Sequence, residues 1–339
     1  MKKPQFDKIL LAHGGGGQLT DSLIRNNILP KVANVPTELA DSASLELDSN
    51  SVCFTTDSYV VKPLFFNGGD IGKLAVCGTV NDLAVAGAIP KALSLSLIIE
   101  TGLEFEVLDK ILESIGRTAE QNNVKIVTGD TKTVEQDSAD KIFINTAGIG
   151  CKMPGINLGI CNIKPGDKII INGTIGDHGM TIISQRKGMK FQSDLVSDCA
   201  CLSNLTIDLL KNIPNIRFMR DPTRGGLAAT LNEIVSETHL SITINEKAIP
   251  VNPKVKVAAE MLGFDVLSIA NEGKVVIVVD SESAQECLEI CQKNPLGEKA
   301  AIIGQVEKAG DAAVVEMNTK IGGRRIVPMP YGRELPRIC

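Results

Sequence analysis

Tryptophan is absent from the 339 residues, and aromatic side chains make up only 3% of them. A platform for stacking nucleic-acid bases is therefore not expected. An excess of positive charge is also missing. Lys and Arg total 35 against 40 Asp and Glu, a net charge of −5. A general nucleic-acid binder needs a basic surface, so that class is excluded. No apolar run approaches the ~18 residues of a membrane span. Lys2, Lys3, Asp7 and Lys8 leave only Ile9 to Ala12 continuously apolar near the start, too short for a signal-peptide core. A cytoplasmic location is the expectation.

The nine cysteines include no C-x-x-C pair; the nearest spacings are Cys199 to Cys201 and Cys287 to Cys291, with no His beside either. Neither a zinc site nor a disulfide framework follows from that pattern. Most of these thiols read as small buried hydrophobes. Cys339 stands apart as the last residue. The phosphate-binding loop G-x-x-x-x-G-K-[ST] is missing as well. Its nearest approach, Gly68 to Leu74, is one residue short and has Leu74 where a hydroxyl is needed. No G-x-G-x-x-G follows a strand, so a nicotinamide dinucleotide site has no support.

What is present is ordinary globular composition, 43% hydrophobic and 22% charged, with length for about two domains. Residues 1–40 read as an appendage carrying the loop His13-Gly14-Gly15-Gly16-Gly17 and a short helical pattern through Leu23, Ile24 and Ile28. Strand and helix patterns alternate over 41–152. Val52–Val61 is strand-like, and Asp70 is a plausible N-cap for a helix to Ala88. Leu93, Leu95 and Leu97 alternate with Ser94 and Ser96, as in a half-buried strand. Pro and Gly between Cys151 and Asp167 mark a boundary, a second α/β domain spans 165–329, and 330–339 reads as a flexible tail.

Carboxylates recur at loop-like positions beside Gly, Asn and Thr: Asp41, Thr56-Asp57, Asn81-Asp82, Gly129-Asp130 and Asp221. Carboxylates at strand ends converge on one rim of an α/β layer, and Mg²⁺ takes a few of them together with substrate phosphates. Such a set could hold Mg–ATP without a P-loop. Each Asp taken alone is better explained as a cap or turn former. Asp82 is the exception, since it interrupts an apolar helical stretch where an ionisable group costs free energy unless partnered. His13 and its glycines read either as a phosphate-covering loop or as a linker. His178 reads as a cap-region or site residue, and His239 as structural. Arg224 and Lys132 are candidates for countering phosphate charge, and Lys132 also for acting as a base. Glu272 precedes a strand, where a carboxylate can face a cleft. All three have surface solvation as the ordinary alternative. A terminal thiol on a flexible arm can travel between sites, and thiolate is a strong nucleophile.

Taken together, these motifs resemble the HypE family of hydrogenase-maturation carbamoyl dehydratases, within the PurM-like, AIR synthase-related ATPase superfamily. The likeness runs nearly end to end: HGGGG (13–17), TTDS (55–58), GGDIGKLAV (68–76), GTVNDLA (78–84), GDTK (129–132), GDHG (176–179), RDPTRGG (220–226), ANEG (270–273) and the terminal LPRIC. The first loop reads HGGGG where many members carry HGAGG. A selenophosphate synthetase, from the same superfamily, usually has Cys or selenocysteine near the Gly-rich loop, whereas the first cysteine here is Cys53.

The resemblance implies an α/β (α+β) fold of two PurM-like domains, the first pairing with its copy into a homodimeric sheet or barrel with ATP at or near the interface. It implies a carbamoyl group placed on Cys339 by a HypF carbamoyltransferase, then dehydrated with ATP to a thiocyanate. The cyano group would pass to iron on a HypC–HypD complex for the [NiFe]-hydrogenase centre. In this reading His13, Gly14, Gly15, Asp41, Thr56, Asp57, Asn81, Asp82, Asp130, Asp221 and Arg224 surround ATP. Asp41, Asp57, Asp82 and Asp221 would take Mg²⁺, and Lys132 and Glu272 would remove the amide protons near Cys339.

Overall fold

The computed structural model describes residues 7–14, 18–32, 46–48, 50–186, 194–331 and 337–339. The first half holds α1 (Gln18–Leu23), β1 (Val52–Tyr59), a small hairpin of β2 (Phe65–Phe66) and β3 (Gly69–Asp70), α2 (Ile71–Val85), β4 (Ala88–Glu100), α3 (Phe105–Gln121), β5 (Lys125–Val134) and β6 (Ile142–Lys152). Its four-stranded sheet has the order β1-β6-β4-β5, with only the β4–β5 pair parallel.

Asp70 caps α2 as its sequence position suggests: its carboxylate accepts from the N–H groups of Gly72 (2.7 Å) and Lys73 (3.1 Å). That helix is apolar nearly all round, because the sheet, α3 and the second half of the chain enclose it. By contrast α3 is amphipathic and turns Leu108, Ile111, Leu112 and Ile115 inward. The leading segment is more than an appendage. Ile9, Leu23, Ile28 and Val32 are buried in the first core, and Gly116 on α3 lets the Lys31 backbone come close. A Cβ there would lie 1.8 Å from the Lys31 carbonyl oxygen.

The second half runs β7 (Lys168–Ile171), α4 (Asp177–Ser184), α5 (Ser203–Asn212), β8 (Ile216–Arg220), α6 (Gly226–Thr238), β9 (Ser241–Asn245), α7 (Pro253–Leu262), β10 (Val276–Val279), α8 (Ala284–Lys293), β11 (Ala301–Glu307), β12 (Val315–Asn318) and β13 (Arg324–Ile326). Its mixed sheet has the order β13-β12-β9-β11-β7-β10-β8. β10, paired between β7 and the edge strand β8, is buried on both faces: Val276 and Val278 join the core under α6, Ile277 and Val279 the core under α5 and α8.

The segment expected as a flexible tail ends in contact with the body. Val60 N–H donates to the Cys339 main-chain oxygen (3.0 Å), Lys62 N–H to the Arg337 carbonyl (3.3 Å), and Ile338 is buried in the first core. Residues 332–336 lie outside the described residues.

Candidate active site

A cavity of about 630 Å³ lies where β1 and α2 meet β8 and the Asp221–Arg224 turn, a size suited to a nucleotide-sized ligand. Asp57, Asp82, Asp221, Arg224, Glu272 and Cys339 all line it. The strand period explains Asp57: with Thr55 and Tyr59 it sits on the β1 face turned toward α2. Tyr59 donates to Asp57 (3.3 Å), and Thr55 donates to Asp82 (2.6 Å). Gly78 lets α2 approach this strand, since a Cβ there would meet the Tyr59 hydroxyl at 2.3 Å.

The acids repel one another and are partly withdrawn from solvent. Burial first, then Asp82, raises the Asp57 carboxyl; burial raises Asp82; burial, then Asp82, pushes Asp221 up to about 7. Glu272 is 3% exposed, its Oε1 has no hydrogen-bond partner, and burial holds its carboxyl well above the usual range. Burial, then the charge of Glu272, pushes the Cys339 thiol up to about 12. A cluster of carboxylates kept this unfavourably fits a counter-cation. Among the described residues, however, no group of three His, Cys, Asp or Glu is arranged to hold a metal ion unaided. Phosphate oxygens would have to complete any Mg²⁺ shell.

Glu272 is held by its backbone. The buried Asp198 carboxylate accepts from the N–H groups of Glu272 and Gly273 (both 3.3 Å) and pairs with Lys274 (3.2 Å). Asn81, expected beside ATP, instead joins the two halves. Its amide donates to the carbonyls of Ala200 (3.0 Å) and Glu272 (3.2 Å), and its oxygen accepts from Leu202 N–H (2.7 Å). Thr56 also lies away from the cavity, on the opposite face of β1, donating to the Thr146 carbonyl (3.1 Å).

Asp130 and Lys132, both on β5, form an exposed ion pair of 2.9 Å, and neither lines this cavity. The register places them with Ser96 and Ile98 on the sheet face turned away from α2 and α3, at the far edge from β1. His13 is on that edge too: its ring packs edge-on against Phe105, and the Leu11 carbonyl of its turn accepts from Thr133 on β5 (2.7 Å). Gly14 closes the same turn. Gly15 and Asp41 lie outside the described residues. One group of candidates thus gathers around Cys339 and another lies on the β5 edge, while Thr56 and Asn81 belong to neither. Thr55 and Tyr59 were missed as lining residues, although counting by twos along β1 from Asp57 selects both.

Two α/β layers with a carboxylate-rich cavity between them define an ATPase-like scaffold without a P-loop. The family model for AIR synthase related protein, N-terminal domain, matches residues 39–151, and that for its C-terminal domain matches residues 164–316. A carbamoyl dehydratase HypE from Rhizobium leguminosarum bv. viciae is 46% identical, covering 98% of this chain and 95% of its own. The crystal structure of a hydrogenase maturation protein HypE in complex with ATP superposes with a TM-score of 0.93, at 43% identity over 97% of this chain and 99% of that one. A HypE–HypF complex structure matches with a TM-score of 0.79, at 49% identity over 82% of this chain and 90% of that one. The chain belongs to the carbamoyl dehydratase HypE family.

Proposed function

We propose that the protein uses ATP to dehydrate an S-carbamoyl group on its own Cys339 to a thiocyanate, for hydrogenase maturation. The observation that carries this reading is the position of Cys339, in the same cavity as Asp57, Asp82, Asp221, Arg224 and Glu272. An amide oxygen is a poor leaving group; transfer of the γ-phosphoryl group turns it into phosphate. Loss of phosphate and of both N–H protons then leaves S–C≡N, with ADP as the other product.

Asp57, Asp82 and Asp221, with Asp41, would hold Mg²⁺ jointly with the nucleotide phosphates, offsetting their charge. Arg224 would fork onto phosphate oxygens. Glu272 is the proton acceptor within this chain, its carboxyl becoming ionisable once nucleotide and cation balance the neighbouring acids. Because substrate and enzyme share one chain, the carbamoyl group arrives at high effective concentration. A docked thiol with its proton held so firmly is a poor nucleophile. Loading by a HypF-type partner therefore occurs with the tail released, and a HypC–HypD complex would accept the product's cyano group.

Lys132, Asp130, Thr56 and the His13 loop would enter through a second copy of the chain. The outer face of the first sheet leaves Phe54 72% exposed and Ile98 40% exposed, a surface a homodimer would cover. Among the described residues no helix is long and apolar enough to cross a membrane. The test is the mass of the C-terminal peptide after incubation with a HypF-type carbamoyltransferase, carbamoyl phosphate and ATP. A Cys339 adduct one water lighter only with hydrolysable ATP is the expected result. An unmodified Cys339 beside a demonstrably competent transferase would refute it.

A further inference from the structure

We propose that His178 is the positioning residue that seats the reacting tail, donating from Nε2 to the Ile338 carbonyl. This rests on the reading that Cys339 carries the reacting group, but its geometry is independent of the chemistry. The tripeptide Arg337–Cys339 lies between the two halves of the chain. On one side the oxygens of Arg337 and Cys339 accept from the Lys62 and Val60 N–H groups, and Arg186 adds a second donor to Arg337 (3.0 Å). The intervening Ile338 carbonyl turns to the second domain and meets His178 Nε2 at 2.8 Å. Each of the three tail residues thereby has a main-chain oxygen held, by donors from both domains.

The imidazole is built for one role. It is fully buried at the start of α4, edge-on to Phe66 with ring centroids 5.5 Å apart. Its Nδ1 lies 2.8 Å from Ser197 Oγ, and that oxygen already accepts from Cys199 N–H (3.1 Å). A carbonyl only accepts, so Nε2 must bear the proton; Ser197 then spends its own proton on Nδ1 and fixes that tautomer. The Asn67 carbonyl accepts from Ser197 N–H (2.9 Å), so this support is anchored to the first domain. Nothing in this arrangement touches the cavity acids. What it fixes is the peptide unit immediately before Cys339, hence the direction in which the thiol enters the cavity. Leaving the Ile338 carbonyl buried without a donor would favour release of the tail.

The experiment reads alkylation of Cys339 by iodoacetamide in the full-length chain, following the peptide 335–339 released by cleavage after Glu334. Exposed Cys161 serves as the internal reference. His178→Phe keeps a ring and removes the donor. Its Cys339 should be alkylated roughly 5- to 100-fold faster than in the parent, with Cys161 unchanged. His178→Gln retains an N–H donor and should stay near the parental rate, which a requirement for the ring alone would not give. Parental reactivity in a folded His178→Phe chain overturns the proposal. Should that variant not fold, ¹⁵N-imidazole spectra of the unaltered protein decide. A His178 proton on Nε2 alone supports the assignment, and one absent from Nε2 refutes it. If the thiocyanate never forms in the parent, the proposed reaction falls, while the alkylation rates still report whether His178 seats the tail.

Discussion

Glu272 and Asp177 are both buried carboxyls raised by desolvation, and amide substitution should separate their roles, since only Glu272 lines the cavity that holds Cys339. Burial raises the Glu272 carboxyl well above its ordinary value, and Glu272→Gln removes the cost of burying an ionisable group there. The variant should melt at pH 7 no lower than the parent, while dehydration of the Cys339 adduct falls by about 10²-fold or more. Loss of folding together with activity would show that Glu272 is structural. Asp177 lines no part of the cavity that holds Cys339. Burial pushes its carboxyl up to about 6 from 3.8, and Thr174 donates to it. A raised carboxyl binds its proton more tightly in the folded state. Stability is therefore unaffected below pH ~4, falls as pH rises to about 6, and stays lowered above that by up to about 3 kcal/mol. Asp177→Asn should remove that cost: denaturant melts should show the variant more stable at pH 7.5 and equal to the parent at pH 4.

At the scale of elements, much was legible because each signal was local. Asp70 ahead of an apolar run gave the start of α2, and the Leu93/Ser94/Leu95 alternation gave β4, since capping and period act over a few residues. What local signals did not give was which neighbouring side chain faces the cavity of its own chain. Thr55, not Thr56, shares the strand period of Asp57. Asn81 sits beside Asp82 on α2 but turns toward Ala200, Leu202 and Glu272, partners more than a hundred residues away that no local pattern reveals. Gly273 belongs to the same class of distant constraint. A Cβ there would lie 1.9 Å from the Asp198 carbonyl oxygen, so this loop and the segment before α5 touch backbone to backbone. Gly273→Ala should cost about 1–3 kcal/mol or more. By separating Asp198 from the Glu272 N–H it should also lower activity in molecules that remain folded. Urea melts and the peptide-mass assay measure the two effects separately, and an unchanged midpoint would show that the contact yields.

For the whole molecule, the distribution of the candidate residues is itself a constraint. Asp82 and Cys339 line the cavity, whereas Lys132 stands on the opposite edge and the outer face of the sheet, too far within one chain to serve the same reaction. A twofold pairing of two such sheets by their outer faces makes each site composite, with the cavity of one copy and the β5 edge of the other. That arrangement has a numerical consequence. Asp82→Asn and Lys132→Ala homodimers should each be inactive, because every site in them lacks one part. In a mixed dimer, one site has both defects and the other has neither. Random re-pairing of equal amounts makes half the dimers mixed, so about one quarter of the parental activity should return. The measurement is dehydration rate after co-refolding the two variants, with sedimentation confirming dimers. No recovery in dimers shown to be mixed would mean that each chain works alone, and Lys132 would then have no part in the chemistry at Cys339.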